Sequence, residues 1–353
     1  MIQYIPYLYE RCGSYSWRAD NEITMARVND FILHCVIYLF PSIDDAKQTK
    51  NIGGSGFVVG VKSKVDDKFC YLYAVTNAHV VNGATVIRIN NRSGGFDFIE
   101  KKDKDWIRHP DGDDLAITYI EDDIKKHHQV DFFIPDDMFA DTEAIKEHDI
   151  GIGEEVFIAG RFQLAQGKLQ NTPTLRFGNI AQMPIEPIKS PTGVEQESYL
   201  VECHSISGFS GSPVFIYIPA FTPRPNSTVV TGTSHTLLLG VDWGHLPIRE
   251  HVESKNEQTD EWEKDCKLRV INNSAMMGVV PVWKLQELLD QPKLMKIREE
   301  LDKKRGKEKK PVSKEETIQH DDLTLTEEEF KDALKKVSQK IKPSEPDSSK
   351  PKT

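Results

Sequence analysis

The chain has 353 residues, of which 38% are hydrophobic and 28% charged, and its formal net charge is -10 at pH 7. That length holds two domains of ordinary size with extensions, since single domains cluster near roughly 100–150 residues. An acidic chain lacks the basic surface that neutralises phosphates, so we predict no nucleic-acid partner. The acidity lies before residue 291, because residues 291–353 carry 17 Lys and Arg against 14 Asp and Glu.

Cysteine usage and the N-terminal residues bear on where the protein works. The five cysteines are odd in number and widely spaced, with no CxxC pair, so we predict buried free thiols rather than a disulfide framework or a zinc site. No metal or cofactor is predicted. Residues 1–27 are read as an N-terminal extension, and no stretch reaches the roughly 18 apolar residues of a membrane span. We therefore predict a cytoplasmic protein with no membrane partner.

From residue 28 to 290 short apolar runs alternate with turn residues, which predicts an all-β fold. The first group includes FILHCVIYLF (31–40), SGFVVGV (55–61), YLYAVT (71–76), TVIRI (85–89) and LAITYI (115–120). The second includes EVFIAG (155–160), YLVECHS (199–205), SPVFIYI (212–218) and TLLLGVDW (236–243). A polar, glycine-containing break near 145–152 separates them. We predict domains at 28–150 and 151–290, each of barrel size, because closure removes exposed strand edges.

The hydrophobic period changes near the end of the second domain. Residues 281–290 place four apolar side chains on one helical stripe, which predicts a closing helix packed on the second barrel: Val282, Leu285, Leu288 and Leu289. Residues 291–353 are predicted as a charged linker and a C-terminal amphipathic helix. The linker is assigned to 300–321, where charge is dense and no apolar period exists.

The helix predicted at 324–342 begins with a capping box formed by Thr326 and Glu329. Its apolar residues recur at helical spacing. An isolated helix of this length is marginal in water. It would therefore dock on the body of the protein or on a protein partner; a solvated helix without a role is the third interpretation.

The segment GFSGSP (208–213) lies between two predicted strands. Acyl transfer by serine needs an exposed hydroxyl on a tight turn whose backbone N–H groups point at the carbonyl under attack. The glycines on either side of Ser210 allow such a turn. Taken alone, a Gly, Ser and Pro cluster is more often an ordinary loop.

Two motifs upstream supply the partners that an activated serine needs. TNAHVV (76–81) places His79 at the end of an apolar strand, and GDDLAI (112–117) places Asp114 at the mouth of another. A carboxylate there could accept the Nδ1–H of the histidine, which sets its tautomer and stabilises the imidazolium. Asp111 and Asp113 are the competing carboxylates and are read as solvated turn residues.

The order His, Asp, Ser, each in its own short motif, resembles the trypsin-like (chymotrypsin-fold) serine peptidases, in particular their bacterial, disulfide-free branch. Four further stretches match in order across roughly 28–290: GSGFVV (54–59), IGEEVFIAG (152–160), TLRFGNIA (174–181) and GVVPVWKL (278–285). The resemblance implies two six-stranded antiparallel β-barrels and a serine endopeptidase that cleaves polypeptide substrates through an acyl-enzyme intermediate. The alternative is a catalytically silent or latent barrel that binds proteins or is regulated by a partner.

Residue by residue, the resemblance implies a triad of His79, Asp114 and Ser210, with an oxyanion hole made by the backbone N–H groups of Gly208 and Ser210. It also implies a substrate pocket. His204, six positions before the nucleophile, would lie at the pocket floor, where it could favour an acidic substrate residue or pack inward. The segment LGVDWGH (239–245) would line the pocket and pair with the substrate backbone, through Asp242, Trp243 and Gly244.

The sequence departs from the family pattern beside the nucleophile. Phe209 stands where digestive members have an aspartate that receives a new N-terminus, so activation by N-terminal clipping is not expected. Only about 60 mostly charged residues follow the second barrel, and we expect no PDZ domain there.

Overall fold

The computed structural model describes residues 28–308, apart from 52, 67–68, 191–192, 205–206, 222–223, 225–233 and 256–261. The predicted extension 1–27 and the predicted helix 324–342 lie outside the described residues. β-strands dominate the described part, which confirms the all-β class. No helix in these ranges is both long and apolar enough to cross a lipid bilayer.

The first half is an eight-stranded sheet with the strand order β5-β4-β1-β2-β3-β7-β6, in which β8 adds parallel to β2. Its strands are β1 Val36–Phe40, β2 Gly54–Lys62, β3 Cys70–Thr76, β4 Val86–Asn90, β5 Phe96–Glu100, β6 Ile107–Arg108, β7 Ala116–Tyr119 and β8 Ile134–Pro135. The resemblance implied a closed six-stranded barrel here, whereas β5 and β6 do not pair among the described strands. A two-residue β6 offers too few hydrogen bonds to complete the ladder, so this half is a half-barrel.

The second half is a closed six-stranded barrel with the order β10-β13-β16-β15-β14-β9. Its strands are β9 Glu155–Gly160, β10 Thr174–Gln182, β13 Tyr199–Glu202, β14 Pro213–Ile218, β15 His235–Lys255 and β16 Trp262–Pro281. A small separate ladder pairs β11 Ile188–Lys189 with β12 Glu195–Gln196.

Two of the barrel strands are much longer than the apolar runs that predicted them. β15 and β16 stay paired from Gly240 opposite Pro281 out to Lys255 opposite Trp262. The outer part carries exposed Ile248 and Ile271 among charged residues. Apolar patterning missed it because a ribbon that packs on no core has no buried face.

The central strands β1 and β3 of the first sheet are buried on both faces, which explains their continuous apolar sequence. In β3, Tyr71 and Tyr73 pack into one cluster while Leu72 and Ala74 pack into another. Cys35, Cys70 and Cys203, the cysteines whose side chains the structure describes, are buried and form no disulfide with one another. Burial raises the pKa of Cys203 to about 11, so this thiol stays protonated and unreactive near neutral pH.

Five α-helices are described: α1 Ile43–Gln48, α2 Ala78–Val81, α3 Thr142–Glu147, α4 Val282–Leu289 and α5 Pro292–Glu308. α4 buries the four apolar residues predicted for the closing helix. The prediction of a linker from residue 300 is wrong for 300–308, which are the end of α5. This helix is held by polar side chains: Arg298 donates to the Leu289 carbonyl and Arg305 to Glu121. Hydrophobic periodicity cannot register such anchors.

The strongest polar anchor of α5 is Asp302, which is buried and accepts hydrogen bonds from the Ser63 and Tyr71 hydroxyls at 2.6 Å each. Burial alone would raise the pKa of this carboxyl, but the two hydroxyls, the Lys64 N–H and Arg305 lower it overall. Its stabilising effect is therefore present above the unfolded-state pKa of about 3.9 and is lost as pH falls through the lower, folded-state pKa.

We expect Asp302→Asn to lower the free energy of unfolding at pH 7 by about 1–3 kcal/mol, because it leaves buried hydroxyls poorly matched. Urea unfolding between pH 3 and 7 measures the effect, and the variant should lose less stability in acid than the wild type. Glu300→Gln, on the exposed face of the same helix, is the matched control and should be neutral. Equal stability of Asp302→Asn and wild type would contradict the anchoring role.

Candidate active site

Ser210 lies on the turn that enters β14, and this turn is held from both halves of the molecule. Its carbonyl accepts from the Ser55 N–H at 2.8 Å, and the Gly211 N–H donates to the Asp242 carbonyl at 2.8 Å. The Ser212 N–H closes the turn on the Phe209 carbonyl, also at 2.8 Å. The Ser210 side chain stays partly exposed while the residues around it are buried.

The backbone of the same turn presents unused donors. Gly208 has a φ of +103°, and its carbonyl accepts from the Ser55 hydroxyl at 2.7 Å. Within the described part of the chain, the N–H groups of Gly208 and Ser210 donate to no protein acceptor. Two backbone donors on one buried turn can bind an oxygen that acquires negative charge.

His79 lies in the one-turn helix α2, directly after β3, and two bonds tie it to Asp114. Its Nδ1 lies 2.6 Å from Asp114 Oδ2, and its backbone N–H donates to Asp114 Oδ1 at 2.9 Å. The His79 side chain is 37% exposed and that of Asp114 is 15% exposed. The carboxylate therefore sets the imidazole with Nδ1–H toward Asp114 and Nε2 toward the open side.

Asp114 is itself held by two side chains for which the sequence analysis assigned no role. The Asn77 amide donates to its carbonyl at 2.9 Å, and Gln196 Oε1 accepts its N–H at 2.7 Å. Asn77 lies within the histidine motif TNAHVV, so its position two residues before His79 could have indicated a role at the site. Gln196, on β12, belongs to no motif, and only the tertiary fold brings it here.

The two competing carboxylates lie elsewhere. Asp111 is exposed, as predicted for a turn residue, but Asp113 is buried and not solvated as predicted. Its Oδ2 lies 3.1 Å from His109 Nδ1 and 3.6 Å from Lys284 Nζ. Burial alone would lower the pKa of Lys284, but the Asp113 and Glu287 carboxylates raise it. Neither competitor contacts His79, whose described bonds go to Asp114.

The turn that carries Ser210 and the helix that carries His79 meet beside Gly54. A Cβ at Gly54 would lie 2.8 Å from the Ser210 carbonyl and 2.8 Å from the side chain of Val80, the residue after His79. Among the described residues the Ser210 hydroxyl makes no hydrogen bond, to His79 or to any other group. The catalytic hydrogen bond between Oγ and Nε2 is therefore not formed in this state, and such bonds often tighten only when substrate binds.

The four predicted pocket residues divide into two sets. Gly244 faces the nucleophile, since a Cβ there would lie 3.9 Å from Ser210 Oγ, and His204 is exposed. Asp242 and Trp243 are buried: the Asp242 carboxylate accepts the Gly244 N–H at 2.8 Å, and the Trp243 indole donates to Ser198. These two side chains therefore do not face the nucleophile with Gly244; they are buried beneath the segment that carries it.

Within the described ranges, two groups of side chains have the composition of metal ligands, but both contain side chains that are already hydrogen-bonded or ion-paired. In the first, with Asp97 and His127, the Nδ1 of His128 accepts the Lys125 N–H at 3.1 Å. The neutral ring then carries its proton on Nε2, toward Asp97, and burial lowers the pKa of His128. In the second, which contains His109, Asp111 and Glu287, the ammonium of Lys284 donates to Glu287.

Residues 54–216 match the family model described as a trypsin-like peptidase domain. This match confirms the family resemblance of the motifs over these residues. The matched range includes all three positions of the predicted triad.

Several solved protease structures are similar to this chain. The MamO protease domain from Magnetospirillum magneticum is 13% identical, with 75% of this chain and 100% of that chain covered and a TM-score of 0.39. The active form of the Rv3671c protease from M. tuberculosis is 16% identical, with 77% and 93% covered and a TM-score of 0.38. The HtrA-type protease AlgW with tripeptide is 13% identical, with 73% and 62% covered and a TM-score of 0.37. No curated protein sequence matches the chain.

Proposed function

We propose that the chain is a serine endopeptidase with Ser210 as nucleophile, His79 as general base and Asp114 as the orienting carboxylate. The observation that carries the proposal is the pair of hydrogen bonds between His79 and Asp114. One joins His79 Nδ1 to the carboxylate at 2.6 Å, and the other joins the His79 backbone N–H to it at 2.9 Å. A structural histidine needs no such control of its tautomer, whereas a general base does.

In the proposed reaction, Ser210 Oγ attacks the scissile carbonyl carbon and its proton passes to His79 Nε2. Asp114 stabilises the imidazolium, and the N–H groups of Gly208 and Ser210 bind the oxyanion. Collapse expels the amine, which takes the proton from Nε2, and leaves an ester on Ser210. Water, deprotonated by His79, then hydrolyses the ester and regenerates the hydroxyl.

We infer that the substrate is an extended polypeptide lying along the segment 243–245. Gly244 has no side chain to block the approach to Ser210 Oγ, from which a Cβ at this position would lie 3.9 Å. His204 is an exposed polar residue six positions before the nucleophile, and Arg176 donates to its carbonyl at 2.5 Å. A side chain of the substrate that enters beside them would meet the positive charge of Arg176.

A second candidate function is a latent barrel that becomes active only when a partner binds. The missing hydrogen bond from the Ser210 hydroxyl favours it, since a turn in the working state would hold Oγ near Nε2. We propose the segment 324–342 as the part of the chain through which a protein partner acts.

Labelling by a fluorophosphonate probe tests the proposal without knowledge of the substrate. We expect the wild type to be labelled and Ser210→Ala not to be, because the probe phosphonylates only an activated serine. Ser207→Ala, an exposed serine three residues away, is the matched control and should label as the wild type does.

Labelling that persists in Ser210→Ala would contradict the assignment of the nucleophile. A folded wild type that is never labelled on its own, but is labelled after addition of a cell extract, would identify the latent form. Absence of labelling under both conditions would refute the enzyme.

A further inference from the structure

Two arginines are fully buried in the seam between the first sheet and the segment that follows β9. The guanidinium groups of Arg88 and Arg161 lie over the same two rings: 5.6 and 5.4 Å from the centroid of Tyr38, and 5.0 and 4.4 Å from that of Phe40. Neither forms an ion pair with any carboxylate in the described part of the chain. Buried charges in proteins are normally paired, so this arrangement lacks an anion.

Both groups are charged at neutral pH. Burial is the main cause that lowers the pKa of Arg161 to about 9 and that of Arg88 to about 10, and the charge of Arg88 lowers that of Arg161 further. Both values stay above 7. An uncompensated buried ion costs several kcal/mol after relaxation, and two cations beside the same rings also repel each other.

The hydrogen bonds separate the two arginines. Arg88 is satisfied by neutral acceptors: its Nε donates to Asn171 at 2.6 Å and its Nη1 to the Ala46 carbonyl at 2.9 Å. Among the described residues, the Arg161 guanidinium donates only from Nη1, at 3.4 Å to the Leu39 carbonyl, and its buried Nε and Nη2 have no partner there. Nε and Nη2 form the side edge of the guanidinium, whose parallel N–H groups match the two oxygens of one oxyanion.

We propose that Arg161 anchors a buried binding site for a small oxyanion, which accepts from Nε and Nη2 with two of its oxygens. Arg88 supplies the second positive charge and the rings of Tyr38 and Phe40 form the apolar walls. The ligand class is phosphate, sulfate or a small carboxylate. A single-atom anion such as chloride cannot satisfy both donors with the same geometry.

The backbone of Arg161 itself belongs to the hydrogen-bond network that supports the nucleophile turn. The Arg161 N–H donates to the Ser55 hydroxyl at 3.0 Å, and that hydroxyl donates to the Gly208 carbonyl at 2.7 Å. A bound oxyanion would hold Arg161 and thereby steady Gly208. This consequence for catalysis rests on the proposed function, whereas binding of the oxyanion does not.

Thermal unfolding of the full-length chain tests binding, in 0–20 mM sodium phosphate with sodium chloride added to keep the ionic strength constant. We expect the wild-type Tm to rise saturably by roughly 3–8 °C, because a ligand that binds only the folded state stabilises it. Arg161→Met should show no saturable rise. Arg249→Met, at an exposed position, is the matched control and should respond as the wild type does.

Arg161→Lys is a second variant for the case in which Arg161→Met does not fold, since lysine keeps the positive charge but lacks the paired N–H groups of the guanidinium. Its half-saturating phosphate concentration should be at least tenfold higher than that of the wild type. Sulfate and acetate arms separate tetrahedral oxyanions from carboxylates, and a response to either supports the site. Equal wild-type Tm in phosphate and in chloride, or an equal response in Arg161→Met, would overturn it.

In the same phosphate series, the rate of fluorophosphonate labelling of the wild type should rise. A constant labelling rate despite a Tm response would contradict only the link to Gly208.

Discussion

Asp114→Asn is expected to lower the rate constant for fluorophosphonate labelling by about 10⁴-fold, the size of effect that follows loss of an orienting carboxylate in such a triad. The structure shows why an isosteric change is so damaging here. Oδ1 already accepts the His79 N–H at 2.9 Å, so an asparagine keeps its oxygen there and turns its NH₂ toward Nδ1. Nδ1 then becomes an acceptor, the ring proton moves to Nε2, and Nε2 cannot take the proton of Ser210.

Asp111→Asn is the matched control, because it makes the same chemical change on an exposed residue of the same loop. We expect its labelling rate to stay within about twofold of the wild type, since surface changes are usually neutral. Both variants should fold, because Asp114→Asn keeps the size and shape of the side chain. Retention of more than a tenth of the wild-type rate by Asp114→Asn would mean that another group orients His79.

Gly211→Ala is expected to lower the free energy of unfolding by roughly 3–5 kcal/mol and to abolish labelling. Gly211 has a φ of +87°, a conformation that costs an L-residue roughly 1–2 kcal/mol. Its Cβ would also lie 2.1 Å from the Ser55 carbonyl oxygen and 2.2 Å from Thr76 Oγ1. Those two atoms are hydrogen-bonded to each other at 2.7 Å and belong to adjacent strands, so they cannot move apart cheaply.

Gly83→Ala is the control for the loss of a glycine, since a Cβ there meets no atom within 4 Å and its φ is not positive. Its free energy of unfolding should change by less than about 0.5 kcal/mol. Urea unfolding measures both variants, and labelling of the folded fraction reports on the turn. If Gly211→Ala kept wild-type stability, the close contact of the turn with Ser55 would be refuted.

Ser55 connects the features on which these predictions depend. Its N–H holds the Ser210 carbonyl, its hydroxyl donates to the Gly208 carbonyl and accepts from the Arg161 N–H, and its own carbonyl accepts from Thr76. One buried serine on β2 therefore joins the nucleophile turn to the histidine strand. Such a fully satisfied network is rigid, because each group is already desolvated and would be costly to leave unpaired.

The class of the fold and the roles of the three chemical motifs could be predicted from the amino-acid sequence alone. Alternating apolar runs predict strands because side chains alternate across a pleated sheet. Each motif indicates a local structure: a tight turn for GFSGSP, the end of a strand for TNAHVV and the beginning of a strand for GDDLAI. Local requirements of this kind are readable from neighbouring residues. The closing helix at 282–289 was readable for the same reason.

Only the tertiary structure decided which groups meet. Gln196, Arg161 and Asp302 act through partners more than 80 residues away along the chain, and no local pattern encodes such a pair. The tertiary structure also distinguishes Asp114 from its neighbour Asp113. The Asp114 carboxylate contacts His79, whereas that of Asp113 contacts His109. Periodicity reports whether a residue is buried, whereas the partner of a buried polar group depends on how distant strands are brought together.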